Sequence, residues 1–272
     1  MSSASLPRRA IEALLLAMAV ATILGLLAWG PVGLSSRMHH YADERTLWGV
    51  PHAMNVWTHL PLIPLGLWGL WRVTALRGYD ELRRVWGAFF VCQILATLGG
   101  MVYHWAPSDH MFVWDQMPKS AACSLMACAF LAERMDPRWG SRATVAMALG
   151  FNVLGGIWWL VSPLWFGVGD LRPLIWLEFM PTLLVAAGAW SVPGRLLTRE
   201  DWMRSLASFV VAQTVDWADG PIFQAMGGAL SGHSIRHLSL AVCVGWIAYR
   251  LGCAAEQRRQ REMPVRALES VA

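Results

Sequence analysis

Charge is scarce in this sequence. Only 15% of its 272 residues are charged and 56% are hydrophobic, whereas an ordinary soluble domain carries about 25% charged residues. Lysine is almost missing: 21 arginines stand beside a single lysine, Lys119. The net charge of +4 would suit nucleic acid. However, the arginines are scattered through short loops and the C-terminal tail, as topology signals are, and form no phosphate-binding patch. No nucleic-acid partner is therefore expected. The five cysteines, Cys92, Cys123, Cys128, Cys243 and Cys253, contain no C-x-x-C pair. That excludes a thiolate metal site and a disulfide framework, and leaves small packing residues. No stretch is long and polar enough to form a separate soluble domain, so residues 1–272 read as a single membrane domain.

What is present is a series of long apolar blocks, at about 10–30, 53–76, 85–105, 112–133, 143–166, 171–192, 203–225 and 233–253. Each approaches the roughly 20 residues needed to cross a bilayer. Lipid cannot hydrogen-bond a bare backbone, so the blocks are expected to be helices. The fold class is all-α, a polytopic bundle of eight spans. Block 10–30 follows Arg8-Arg9 and has the alternative of a signal peptide. Its apolar core is long for one and no small-x-small site follows, which favours an uncleaved span. Trp105, Trp165 and Trp202 lie at block ends, as interfacial anchors do.

Counting arginines on alternate sides gives seventeen on one side and four on the other. Cytoplasmic loops collect positive charge, so both termini and the tail 254–272 are expected in the cytoplasm. The arginine bias points to a bacterial inner membrane. In this orientation His104, Asp115, His233 and His237 all fall near the outer face. His233 and His237 are spaced i, i+4 and share one helical face. Two such histidines plus one from another helix suit zinc with an open fourth position. Zinc would lower the pKa of its water from about 15.7 towards 7. Asp115 would then take or orient a proton, or fix a histidine from behind.

Other ionisable residues have blander readings. His39, His40 and His110 lie in expected loops and read as solvated or interfacial. His52, Asn55 and His59 can line the same cavity, although interhelical hydrogen bonding is the commoner role for such histidines. Asp216 and Asp219 either cap or orient ligands, or face water. Glu178 and Lys119 read as polar lining or a buried pair.

Several segments together resemble one family. They are Val102-Tyr103-His104-Trp105-Ala106-Pro107, Val113-Trp114-Asp115-Gln116-Met117-Pro118 and Ser231-Gly232-His233-Ser234-Ile235-Arg236-His237-Leu238. With them go Tyr41-Ala42-Asp43-Glu44-Arg45-Thr46, Gly49-Val50-Pro51, Asn55 and Gly169-Asp170-Leu171-Arg172-Pro173. In this order, over residues 41 to 250, the chain resembles the bacterial branch of the alkaline ceramidase family. That family belongs to a superfamily that includes the adiponectin and progestin receptors. The resemblance implies a seven-helix hydrolase core over 41–253, with 10–30 as an additional N-terminal span. It also implies Zn2+ held by His104, His233 and His237 beside Asp115, and hydrolysis of a lipid amide. The superfamily pattern has Ser one turn before the first histidine, where this chain has Gly100. The family's eukaryotic members carry an acidic N-terminal calcium site. Asp43, Glu44 and Asn55 do not match its spacing and His52 stands where an acid is expected, which argues against calcium.

The expected function is therefore a zinc-dependent intramembrane hydrolase that cleaves a lipid amide, ceramide-like in kind, by zinc-activated water. The alternatives are a receptor- or sensor-like protein with structural zinc, and a haem or copper redox protein. A membrane lipid is the expected partner. The exact lipid, the oligomeric state and the role of the first helix are not written in the sequence.

Overall fold

The computed structural model describes residues 8–194 and 196–269. All of Arg195 and the side chains of Arg8, Arg37, Arg258, Arg259, Arg261 and Arg266, which enter the arginine count, lie outside the described residues. The fold is an all-α bundle, and among the described residues the only β-pairing is one isolated bridge between Leu47 and Val50.

The helices are α1 (Arg8–Trp29), α2 (Ala53–Trp57), α3 (Leu62–Val73), α4 (Asp80–Trp105), α5 (Asp109–Arg134) and α6 (Arg142–Val161). They continue with α7 (Pro163–Phe166), α8 (Arg172–Ser191), α9 (Arg199–Trp217), α10 (Asp219–Ala225) and α11 (Gly232–Glu269). Among the described residues five stretches, Arg9–Trp29, Asp80–Trp105, Arg142–Phe166, Arg172–Trp190 and Gly232–Gln257, are long and apolar enough to cross a membrane, against the eight spans expected from the sequence. Leu95, Leu98, Leu154, Leu183, Val210 and Val242 point outward from the bundle. So broad an exposed apolar surface is what lipid covers.

Local chemistry sets the helix ends. Ser108 caps α5 by accepting from the Met111 amide at 3.3 Å, and Thr198 and Asp201 form a reciprocal capping box on α9. Two expected spans are broken. Block 53–76 divides into α2 and α3 around Thr58–Pro61, where His59, Leu60 and Leu62 make tighter bonds to the carbonyls three residues back. Pro61 has no amide to donate, so the α-helical ladder cannot run through it. Block 203–225 likewise divides at Ala218 into α9 and α10. Trp202, read from sequence as an interfacial anchor, is only 1% exposed. It stacks on Trp86 at 6.0 Å and meets Phe130 at 5.4 Å, forming the core at one end of the bundle.

Asp170 ties the first helix to the rest. Its carboxylate accepts from the Val32 amide at 3.1 Å, the Trp158 indole at 2.9 Å and the Arg172 guanidinium at 2.9 Å. Trp176 also donates to Thr22 on α1 at 2.9 Å. Burial alone would raise the Asp170 pKa, but these donors outweigh it and hold the carboxyl below its ordinary value. A depressed folded-state pKa contributes stability that is present above the unfolded value of about 3.9 and lost as pH falls through the folded one. We expect Asp170→Asn to cost about 3–5 kcal/mol at neutral pH, because it strands a buried guanidinium. Thermal unfolding in detergent will show the gap between parent and variant closing as pH drops below about 4.

Candidate metal centre

Four imidazoles meet at the end of the bundle opposite Trp86 and Trp202. His104 closes the last turn of α4. His233 and His237 open α11, one turn apart on one face. The start of α11 is fixed by two local bonds: the Ser231 hydroxyl accepts from the Ser234 amide at 3.1 Å, and Asp219 accepts from the His233 amide at 2.8 Å. The second Asp219 oxygen accepts from the Ala42 amide at 2.8 Å, which pins the preceding loop across the site.

The fourth member is His59, at the break between α2 and α3. Sequence reading left it either lining the cavity or, more commonly, in an interhelical hydrogen bond; it lines the cavity, its ring 3.7 Å from that of His237 and 5.3 Å from that of His104. One nitrogen from each of His59, His104 and His237 falls within 4.8 Å of the others, so these three buried residues can hold a metal ion. His233 stands against this set, its ring 4.8 Å from His104 and 4.6 Å from His237.

Hydrogen bonding settles which nitrogens face inward. His59 Nδ1 donates to the Asn55 carbonyl at 2.8 Å, leaving Nε2 as a bare lone pair. The Thr58 hydroxyl gives its proton to the Met54 carbonyl at 2.7 Å. It must therefore accept from His237 Nδ1 at 2.9 Å, which again leaves Nε2 bare. His233 Nδ1 donates to Asp216 at 2.6 Å. Its Nε2 then faces His104 Nε2 at 3.2 Å, so a proton or a cation must lie between them. His104 Nδ1 is buried with no hydrogen-bond partner among the described residues.

These donors fit zinc. Zn–N bonds of 2.0–2.1 Å put neighbouring ligands of a tetrahedron about 3.3 Å apart, close to the His104–His233 separation. Histidines whose far nitrogens are held by a carbonyl, a hydroxyl and a carboxylate match the usual support of zinc-bound imidazole. Asp216 is itself paired with Arg236. Asp216→Asn should lower zinc affinity about 10- to 100-fold with the bundle intact, as measured by competition with a chelating dye.

Gly100 explains how His59 enters. A Cβ built at this position would lie 2.4 Å from His59 Nε2 and 3.0 Å from Asp115 Oδ1. Any larger residue there takes the space of the imidazole. The preceding Gly99 does the same for backbone, since its Cβ would meet the Trp114 carbonyl at 2.0 Å. The glycine pair thus lets α5 and His59 close on α4 from two sides.

The remaining sequence candidates fall into place around this cluster. Asn55 accepts from the Ser234 hydroxyl at 3.0 Å and so links α2 to α11 behind the histidines. His52 stands behind Tyr41, with ring centroids 6.2 Å apart, and its Nδ1 is buried without a hydrogen-bond partner among the described residues. Asp43 accepts from Arg45 at 2.6 Å and His40 pairs with the exposed Glu44 at 3.2 Å. His39, expected to be solvated or interfacial, is half-buried and bridges the Tyr103 hydroxyl at 3.0 Å and Asp109 at 2.9 Å. Tyr41, which sequence reading did not single out, covers His233 and His104 at 4.4 and 4.8 Å. Burial and the adjacent Tyr103 hydroxyl raise its pKa well above the ordinary value, so it is a neutral phenol.

All four histidines, Asp115, Asp216 and Arg236 line a cavity of about 660 Å³ that continues to Phe89 and Trp202. His104 follows Phe89 by fifteen positions along α4, about 22 Å at 1.5 Å per residue. Most of that length is walled by apolar side chains, among them Leu62, Met126, Leu206 and Val244. No model of a known protein family matches the chain, and no protein of curated function matches it in sequence.

Proposed function

We propose that this protein is a zinc-dependent intramembrane hydrolase that cleaves the amide bond of a ceramide-like lipid. One observation carries the reading: three buried imidazoles able to hold a metal, with Asp115 beside them, close the end of a long, largely apolar cavity. Such a slot accepts an acyl chain and brings its polar end to the histidines. The resemblance to the alkaline ceramidases adds the reaction class.

His104 and His237 are the ligands common to the geometry and to the resemblance. Proximity gives the third place to His59, and the resemblance gives it to His233. Zinc bound there supplies Lewis acidity and an acidified water. Asp115, next to His59 across Gly100, receives a proton and returns it to the departing amine. Lys119, 3.7 Å from Asp115, keeps that carboxylate paired until a proton arrives. Asp216 holds the His233 ring, and Tyr41 shields the cluster from the loop side.

The test is release of fatty acid from a panel of N-acyl lipids by detergent-solubilised protein. Turnover should vanish on chelation and return with zinc. If zinc-loaded protein releases nothing across the panel, the hydrolase reading fails. The rival, a sensor with structural zinc, is favoured by the fourth imidazole. Four protein ligands would close the coordination shell and leave no place for water.

A further inference from the structure

Lys119 is the only lysine in the chain, and it lies in the middle of α5, where a charge is costly unless it meets a partner or a cavity. Its Nζ stands 3.7 Å from Asp115 Oδ2 and 4.0 Å from Glu178 Oε2, too far for a hydrogen bond to either. Among the described residues its ammonium makes no hydrogen bond, and it is 21% exposed towards the cavity that it lines. Glu178, by contrast, is 4% exposed and is held in place by Gln116 Nε2 at 2.5 Å. An unbonded donor thus faces a fixed acceptor across a gap inside a largely apolar slot.

An oxygen about 2.8 Å from each side bridges such a gap. A hydroxyl does this with both bonds satisfied, accepting from Lys119 and donating to Glu178. We propose that Lys119 and Glu178 form a specificity subsite for a hydroxyl on the lipid, one helical turn beyond the metal centre. The inference rests on the reading of the cavity as a lipid site. Lys119 follows Asp115 by four residues, about 6 Å along α5, so the recognised hydroxyl lies within a few bonds of the amide. It is carried either by the amine part or by the acyl part. A lipid without it leaves the ammonium without a hydrogen-bond acceptor and the buried Glu178 carboxylate without the bridging donor, which a polar site penalises.

The experiment measures binding to zinc-free protein in detergent, so that chemistry cannot intervene, by displacement of a fluorescent acyl lipid. Two pairs of N-acyl amines are compared, one differing by a hydroxyl on the amine part and the other by a hydroxyl on the acyl chain near the carbonyl. In at least one pair the hydroxylated member should bind about tenfold tighter or more, and the responding pair identifies the side. Lys119→Met should erase the preference between the members of the responding pair. Glu178→Gln, which keeps the shape, should weaken the preference even if the lysine variant does not fold. Equal binding within both pairs, as water alone between the charges would give, overturns the subsite and leaves the hydrolase reading intact. Absence of any lipid binding overturns both.

Discussion

Gly100→Ser should abolish metal binding rather than improve the site, although serine is what the resemblance leads one to expect there. The new Cβ would lie 2.4 Å from His59 Nε2 and the hydroxyl would crowd Asp115. The imidazole cannot retreat freely, because its Nδ1 is bonded to Asn55 and its ring lies against that of His237. Overpacking of this kind costs typically about 1–3 kcal/mol, and loss of a ligand adds to it. The expected result is a drop in zinc content from one ion per chain to a small fraction, with the helical signal retained. The double variant Gly100→Ser with His59→Ala removes the clash, and zinc regained there would assign the three places to His104, His233 and His237, whereas zinc still absent would assign the third place to His59. Undiminished zinc in Gly100→Ser would mean that His59 and Gly100 are not coupled as described.

Asp115→Asn carries the second large effect. The amide keeps the size of the carboxylate and leaves the four imidazoles untouched, so zinc content should stay near that of the parent. Turnover of the best N-acyl lipid should fall about 100- to 10,000-fold, the usual contribution of a positioned proton acceptor. Unchanged turnover would remove Asp115 from the chemistry. A parallel loss of zinc would make it a supporting residue of the metal instead.

The parts of this site that sequence revealed are those whose spacing carries meaning. His233 and His237 declare a shared face by their i, i+4 separation, and arginine asymmetry put His104 and Asp115 at the same depth. The bundle was legible for the same reason, since apolar length alone demands helices. His59 was legible as a residue that can line the cavity but not as a ligand, because it sits on the tight turns before Pro61, where helical periodicity ends and no spacing rule applies. Gly100 read as a missing hydroxyl because an absent side chain acquires meaning only from its neighbour in space. His39 looked like a loop histidine, and its partners Tyr103 and Asp109 come from positions more than sixty residues away. Lys119 and Glu178 were visible as intramembrane charges, but the unbridged 4.0 Å between them was not.

The central claim, that imidazoles from separate helices share one divalent cation, is tested most directly by elemental analysis of the purified protein beside His104→Ala. The account predicts one zinc per chain in the parent and almost none in the variant, with the variant still helical. Parent protein that carries no zinc after zinc-supplemented purification, or that shows a haem Soret band in its place, would contradict it.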